Sequence, residues 1–333
     1  MHASDSDSGS PVKLPNVLNQ TALIAGCGYV GHRVARRWVQ QGIRTSAITR
    51  DATKAESLLA ENIQPVTLAL GSDAEWPPLP DVDMVLWAVG FDRRPDSDRQ
   101  ATWVDGLQRL LQRLPSRSTP RRIIYTSSTG VYGDGEGHDV DEQTPLNPSS
   151  EGGLACVAAE NLLRSWAQKT GDEVFILRLA GIYGPDRLLR RITELKNVTP
   201  IAAAPDEWLN LIHVDDAVRM IDWSAQIHAW EHMKTITAMD EPLDAATVNV
   251  VATNSVTRRE YYSTLARLVN SPEPVFQSAV NGVSSDTSRR RSGGNRRVTS
   301  RWRSVVPVAF AFDDCKRGLS DAVARSSMLP DAG

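Results

Sequence analysis

The sequence predicts an α/β fold: a doubly wound, mostly parallel sheet with a smaller, irregular C-terminal region. Three observations predict it. From Thr21 onward, short apolar runs alternate with longer amphipathic ones, which is the pattern of repeated strand–helix units. The apolar runs carry few polar residues, as strands covered on both faces require. The first run also passes through a glycine-spaced turn straight into a helical pattern, the joint found at the mouth of open α/β sheets.

The elements follow in order. "TALIAG" (21–26) is a buried strand. Val30, Val34 and Trp38 then recur at helical spacing, with Gly42 as the stop. "RTSAIT" (44–49) is a second strand, "ATKAESLLAEN" (52–62) a helix, and 64–70 a third strand. "VDMVLWAVG" (82–90) is a fourth strand. Residues 99–115 form a helix ended by Pro115. "RRIIYTSS" (121–128) is a fifth strand, 153–171 a long helix ending at Gly171, and "EVFILRLAG" (173–181) a sixth strand. Right-handed crossovers between parallel strands make this a Rossmann-type fold.

After Gly181 the pattern loosens. Residues 182–197 read as a loop entering a short helix. Residues 210–225 read as a short strand and then a helix, whose early Asp215 and Asp216 suit its positive end. "ATVNVVAT" (246–253) is a strand. Thr257 and Glu260 form a capping box that opens a helix to Asn270. The Ser/Gly/Arg-rich stretch 281–295 is expected to be a mobile loop. The expected organisation is a disordered tail over 1–18, a dinucleotide-binding domain over 19–180 and a substrate-binding region over 181–333. Segments near 210–226 and 246–252 return to the first domain.

Bulk composition excludes several classes. Hydrophobic residues are 41% and charged residues 23%, so an ordinary core is expected. The net charge of −3 argues against a protein built around nucleic acid. No apolar stretch approaches the roughly 18 residues of a membrane span, and no signal-peptide pattern opens the chain. The three cysteines, Cys27, Cys156 and Cys315, are widely spaced. They suggest neither a metal site nor a disulfide framework, and fit reduced thiols in the cytoplasm.

Gly26, Gly28 and Gly31 form G-x-G-x-x-G between the first strand and the first helix. The first glycine permits a tight turn, the second lets a pyrophosphate approach the backbone, and the third lets helix and strand pack closely. The helix N-terminus then offers free N–H groups to the phosphates. An NAD site usually ends its second strand with an acid that binds the ribose 2′-OH. Here Thr49 and Arg50 stand at that end, with Asp51 next. Arg50 suits a 2′-phosphate, so the reading favours NADP, with NAD as the alternative.

"IIYTSSTGVYG" (123–133), together with "GCGYVG", "LRLAGIYGP" (177–185) and "NLIHVDDAV" (210–218), resembles the short-chain dehydrogenase/reductase superfamily. More narrowly it is similar to the extended and atypical branch of NAD-dependent epimerases/dehydratases, or nucleoside-diphosphate-sugar epimerases. The resemblance runs from about Thr21 to about Val323. It implies hydride transfer by a nicotinamide, with a tyrosine shuttling a proton and a lysine four residues on lowering its pKa. It implies cofactor contacts at Gly26, Gly28, Tyr29, Val30, Gly31, Arg50, Ala88, Val89, Gly90 and Ser127. Ser128 matches the family's substrate-orienting serine. Counting back from Glu160, the tyrosine position is Gly152 and the lysine position Cys156, and no Tyr-x-x-x-Lys occurs elsewhere in the chain. A family asparagine is replaced by Trp103.

Glu151 and Tyr183 are the expected substitutes for the proton-transfer group. Tyr132, His138, Asp139 and Glu142 are read as packing or loop residues. His213 with its aspartates is read as structural, with no metal expected. Arg296 and Arg297 are candidates for holding a substrate diphosphate, while Arg289 to Arg291 are read as a solvated loop. The expected function is an atypical NAD(P)-dependent oxidoreductase or epimerase acting on a nucleotide-sugar or another small hydroxyl or carbonyl compound. The alternative is a catalytically inactive NAD(P)-binding sensor or scaffold. No nucleic-acid or membrane partner is expected, and oligomeric state is not readable.

Overall fold

The computed structural model describes residues 20–72, 74–90, 98–237, 244–277 and 295–327. The expected N-terminal tail and residues 281–294 of the expected mobile loop, Arg289 to Arg291 included, lie outside the described residues.

Seven strands form one parallel sheet: β1 (Thr21–Ala25), β2 (Arg44–Thr49), β3 (Gln64–Thr67), β4 (Met84–Trp87), β5 (Arg122–Ser128), β6 (Glu173–Leu179) and β7 (Ala246–Val250). Their order is β7-β6-β5-β4-β1-β2-β3. The chain therefore builds outward from β1 in one direction, then returns to lay β4 on its other side. That reversal opens a crevice at the carboxyl ends of β1 and β4.

Side chains alternate along each strand, and both faces are apolar. Ala22, Ile24, Ile124, Phe175 and Leu177 belong to one buried cluster, Leu23, Ala25, Ile123, Tyr125, Val174 and Ile176 to the other. Helices α1 (Gly31–Gln40) and α6 (Val214–Ser224) cover the first face, α1 burying Val34, Ala35 and Trp38. Helices α3 (Gly106–Arg113) and α4 (Glu151–Thr170) cover the second. Helix α2 (Ala52–Ala60) joins β2 to β3.

The C-terminal part adds α5 (Leu189–Lys196), α7 (Ile227–Thr237), α8 (Arg258–Leu268) and α9 (Cys315–Ala324). Helices α5, α8 and α9 share a third apolar cluster containing Ile192, Leu195, Tyr261, Leu265 and Leu319. Thr257 and Glu260 complete both halves of the capping box that opens α8.

Some elements differ from the sequence reading. The third and fourth strands are shorter. The helix expected over 99–115 begins as a π-helical segment, Gln100–Asp105, before becoming α3. The chain after β3 crosses there. A Cβ at Gly71 would lie 2.9 Å from Thr102 Oγ1, and one at Gly106 would lie 2.9 Å from the Leu70 carbonyl oxygen. A 3₁₀ turn, Thr129–Tyr132, follows β5 directly. Helices α7 and α9 carry no motif that periodicity singled out.

One polar network crosses the core. The Glu160 carboxylate of α4 is completely buried and accepts from Ser127 Oγ (2.7 Å), Arg178 Nε (3.0 Å) and Arg178 Nη2 (2.7 Å). Arg178 Nη1 donates to Tyr132 Oη (2.8 Å), which donates to Asn249 Oδ1 (2.7 Å). Asn249 Nδ2 donates to the Thr299 carbonyl (2.8 Å). Without Arg178 the buried Glu160 carboxylate would keep Ser127 Oγ and a longer contact from Arg164 Nη1 (3.4 Å), an incomplete match for its charge. Arg178→Met is expected to cost about 3–5 kcal/mol, measured by denaturant unfolding; a loss below about 1 kcal/mol, the ceiling for exposed pairs, would contradict this account.

Candidate active site at the switch point

The glycine loop lies at the crevice between β1 and β4. Gly26 has φ +89°, and a Cβ there would overlap the Ala88 carbonyl at the end of β4. A Cβ at Gly31 would overlap the Gly26 carbonyl. Both glycines are required by close backbone approach. Gly28 is different, because a Cβ there would meet nothing within 4 Å. It faces the open crevice, where a ligand's phosphates can approach the backbone. No side chain caps the start of α1, and its first turn holds no acid. Its N–H groups therefore suit an anion. Ala88 and Val89 are half-buried and Gly90 is exposed beside the same opening. The cradle fits the diphosphate of a dinucleotide.

Side chains fix this loop. Tyr29 Oη donates to the Pro185 carbonyl (2.8 Å), tying the loop to the turn after residues 181–183. The guanidinium carbons of Arg33 and Arg187 lie 4.1 and 4.8 Å from the Tyr29 ring centre. Lys54 Nζ donates to the Cys27 carbonyl. Burial pushes the Cys27 thiol up to about 11, so it stays protonated. At the end of β2, Arg50 and Asp51 are both exposed, and Asp51 caps α2 by accepting from Lys54 N (3.1 Å).

Ser128 ends β5 half-buried, and its Oγ accepts from Gly130 N (3.1 Å). Ser127, expected among the cofactor contacts, is buried and directed to Glu160. Helix α4 begins beside this turn. Ser150 caps it by accepting from Gly153 N (3.1 Å). Glu151, its first residue, is 85% exposed and pairs with Arg99 Nη1 at 2.7 Å. A Cβ on Gly152 would lie 3.8 Å from both Arg99 Nε and Trp103 Cζ3. Cys156 is buried one turn deeper, where desolvation raises its thiol and it hydrogen-bonds Tyr125.

The remaining sequence candidates, Tyr183, Arg296 and Arg297, are each engaged within the protein. Tyr183 is buried against Gly318 of α9 and edge-on to His213. Burial pushes its phenol far above the usual range. Arg296 is buried, with Nη2 donating to the Thr129 carbonyl (2.7 Å) and Nη1 to the Gly133 carbonyl. It braces the turn behind Ser128. Arg297 grips Asp139 through two 2.5 Å bonds. Its hydrogen bonds hold the Asp139 carboxyl below the ordinary range.

His213, Asp215 and Asp321 bring ligand-type atoms within 4.8 Å of one another. Arg325 Nη1 already bridges the two carboxylates at 2.7 and 2.9 Å. Sequence reasoning missed Arg99, Lys54, Arg33 and Arg187. Arg99 stands one helical turn before Trp103, which was a usable signal; that both face Gly152 is a tertiary fact.

Residues 22–235 match the NAD dependent epimerase/dehydratase family. The chain belongs to that family. Protein YeeZ of Escherichia coli is 28% identical over 269 residues, covering 77% of this chain and 86% of YeeZ. A conserved protein from Silicibacter pomeroyi superposes with a TM-score of 0.70 at 25% identity, over 92% of this chain and 99% of that one. The UDP-glucuronic acid 4-epimerase of Bacillus cereus, solved with NAD, gives a TM-score of 0.67 at 15% identity over 92% and 96% of the two chains. That last likeness is one of fold. Among the described residues, no helix is long and apolar enough to cross a membrane.

A side chain at position 28 would occupy the open face of the glycine loop without touching the core. Gly28→Val is therefore expected to weaken NADH binding about tenfold or more, about 1.4 kcal/mol or above, with little change in melting temperature. Fluorescence titration and thermal unfolding of the same sample check both halves.

Proposed function

We propose that the protein is an NAD(P)-dependent oxidoreductase of the epimerase type that acts on a nucleotide-sugar or a related small hydroxyl or carbonyl compound. The observation that carries this reading is the position of Ser128. It ends β5 beside the first turn of α4, on the same sheet edge as the glycine loop. A nicotinamide, when bound, supplies hydride acceptance and return. Ser128 Oγ accepts from Gly130 N and retains a proton to donate to the substrate oxygen. Glu151, a carboxylate at the start of α4, takes the proton that leaves that oxygen and later returns it. Tyr183 is too enclosed for that part, and neither Gly152 nor Cys156 can perform it.

The nucleotide-sugar class is supported by solved proteins of the same fold, among them the Bacillus cereus epimerase with UDP-glucuronic acid and NAD. NADP is favoured over NAD because an arginine, Arg50, rather than an acid follows the last residue of β2, and the neighbouring Asp51 serves as the α2 cap. Three buried, unpaired thiols fit a reducing, cytoplasmic setting.

Ser128→Ala and Glu151→Gln are each expected to lower turnover on a nucleotide-sugar about a hundredfold while dinucleotide binding persists. Unchanged turnover in both variants would overturn the assignment. Arg50→Gln is expected to weaken NADPH selectively, leaving NADH affinity as it was; parallel calorimetric titrations with the two cofactors decide this.

A further inference from the structure

The arginines of the C-terminal helices fall into two groups. Arg190 and Arg191 pair with Glu194, Arg219 with Asp216, Arg258 with Glu207, Arg259 with Asp206, and Arg325 with Asp215 and Asp321. Arg267 of α8 and Arg317 of α9 have no such partner among the described residues, and neither does Lys316 beside Arg317. The acids nearest them in sequence are engaged elsewhere. Asp314 caps α9, Asp321 holds Arg325, Glu260 completes the α8 capping box, and Glu273 accepts from Ser263 Oγ (2.8 Å).

These three cations converge on one groove of about 300 Å³ between α8 and α9. The hydroxyls of Thr264 and Ser320 and the side chain of Leu268 complete its lining, and no carboxylate takes part. The Arg267 fork is held in place by its own helix, with Nε donating to the Ser263 carbonyl (3.2 Å) and Nη2 to Thr264 Oγ1 (3.5 Å). On α9 the cations project away from the core. Cys315, Gly318, Leu319 and Ala322 form the buried face, with Gly318 against Tyr183. Lys316, Arg317 and Ser320 are exposed, on the opposite side by helical spacing. The groove therefore looks away from Tyr183. Like charges gathered without a counter-charge raise the energy of the bare surface, and the chain as a whole carries −3. A bound anion removes that cost.

We infer that the α8–α9 groove is a binding site for a small, multiply charged phosphate compound, separate from the dinucleotide crevice. Two guanidinium forks match the oxygens of phosphate, and the ammonium adds a compact third charge. The two hydroxyls can donate to the same oxygens. A diphosphate fits better than a single carboxylate, because three unneutralised cations call for more than one negative charge. A small ligand fits better than a nucleic-acid strand, because the groove is short and no aromatic platform lines it.

The test uses the full chain saturated with NADPH, so that the glycine loop is filled, and inorganic pyrophosphate as the probe. Calorimetry at low salt is expected to show one site per chain with a Kd below about 1 mM, and orthophosphate bound about tenfold more weakly. Arg267→Gln and Arg317→Gln should each weaken pyrophosphate about tenfold. Arg317→Lys should lose less than Arg317→Gln, since it keeps the charge and gives up only the fork. Retained NADPH binding reports that each variant is folded. No binding of pyrophosphate to the wild-type protein, or binding that survives both Gln variants unchanged, overturns the site. Tighter binding of an oligouridylate, lost in the same variants, assigns the groove to nucleic acid and overturns the small-ligand reading. Turnover on a nucleotide-sugar is expected to stay at the wild-type level in all three variants; its loss would place the groove within the substrate site and overturn the separation from the crevice.

Discussion

The buried pair between Glu160 and Arg178 joins elements that are far apart in sequence yet meet around the crevice. Glu160 lies on α4, Arg178 on β6 and Ser127 on β5. Tyr132 and Asn249 extend the same chain of bonds to β7 and to the backbone at Thr299. A fully desolvated ion pair adds little net stability over apolar packing, but it punishes any register other than the one that satisfies it. The first turn of α4 is thereby held at a fixed distance from the end of β5. Ser128 and Gly152 share one edge of the crevice because Glu160 and Arg178 do not tolerate a shift beneath them.

A second constraint acts at the switch point. Gly26 and Gly31 are forced by backbone contacts with Ala88 and with each other, so β1, β4 and α1 are locked together at a single point. Gly28 sits in the same loop with nothing in front of it. Two glycines build the cradle and the third leaves it open, a division of labour set by local geometry. Tyr29 carries this lock outward to Pro185, and Asp186 accepts from Ser327 N (2.9 Å) beyond α9. The glycine loop and the segment that follows α9 are therefore linked through the turn at Pro185 and Asp186.

The alternation of apolar runs made the sheet legible, because its central strands are covered on both faces and periodicity needs no other information. The need for glycine at Gly26 and Gly31 was legible for the same reason: it follows from a strand, a turn and a helix that are contiguous in sequence. Legibility stopped where function depends on packing between distant segments. The letters of Ser127 and Ser128 are identical, yet pleat alternation sends one to Glu160 and leaves the other at the crevice. Arg296 and Arg297 are likewise neighbours of one type. One braces the Thr129–Gly133 turn from inside and the other pairs with Asp139 at the surface. No spacing rule separates such twins, because the partner that decides each is more than a hundred residues away. The π-helical segment was hidden too, since it arises where Leu70 and Gly71 press on the helix.

The two glycines at the start of α4 differ in what holds them. Gly153 is demanded by packing, because a Cβ there would lie 2.8 Å from the Gly130 carbonyl oxygen, whereas a Cβ at Gly152 would make ordinary contacts at 3.8 Å with Arg99 Nε and Trp103 Cζ3. One turn deeper Cys156 is buried, and desolvation raises its thiol, so it stays neutral there. A lysine at that depth would be a charge taken out of water, and a small thiol fills the space without that penalty.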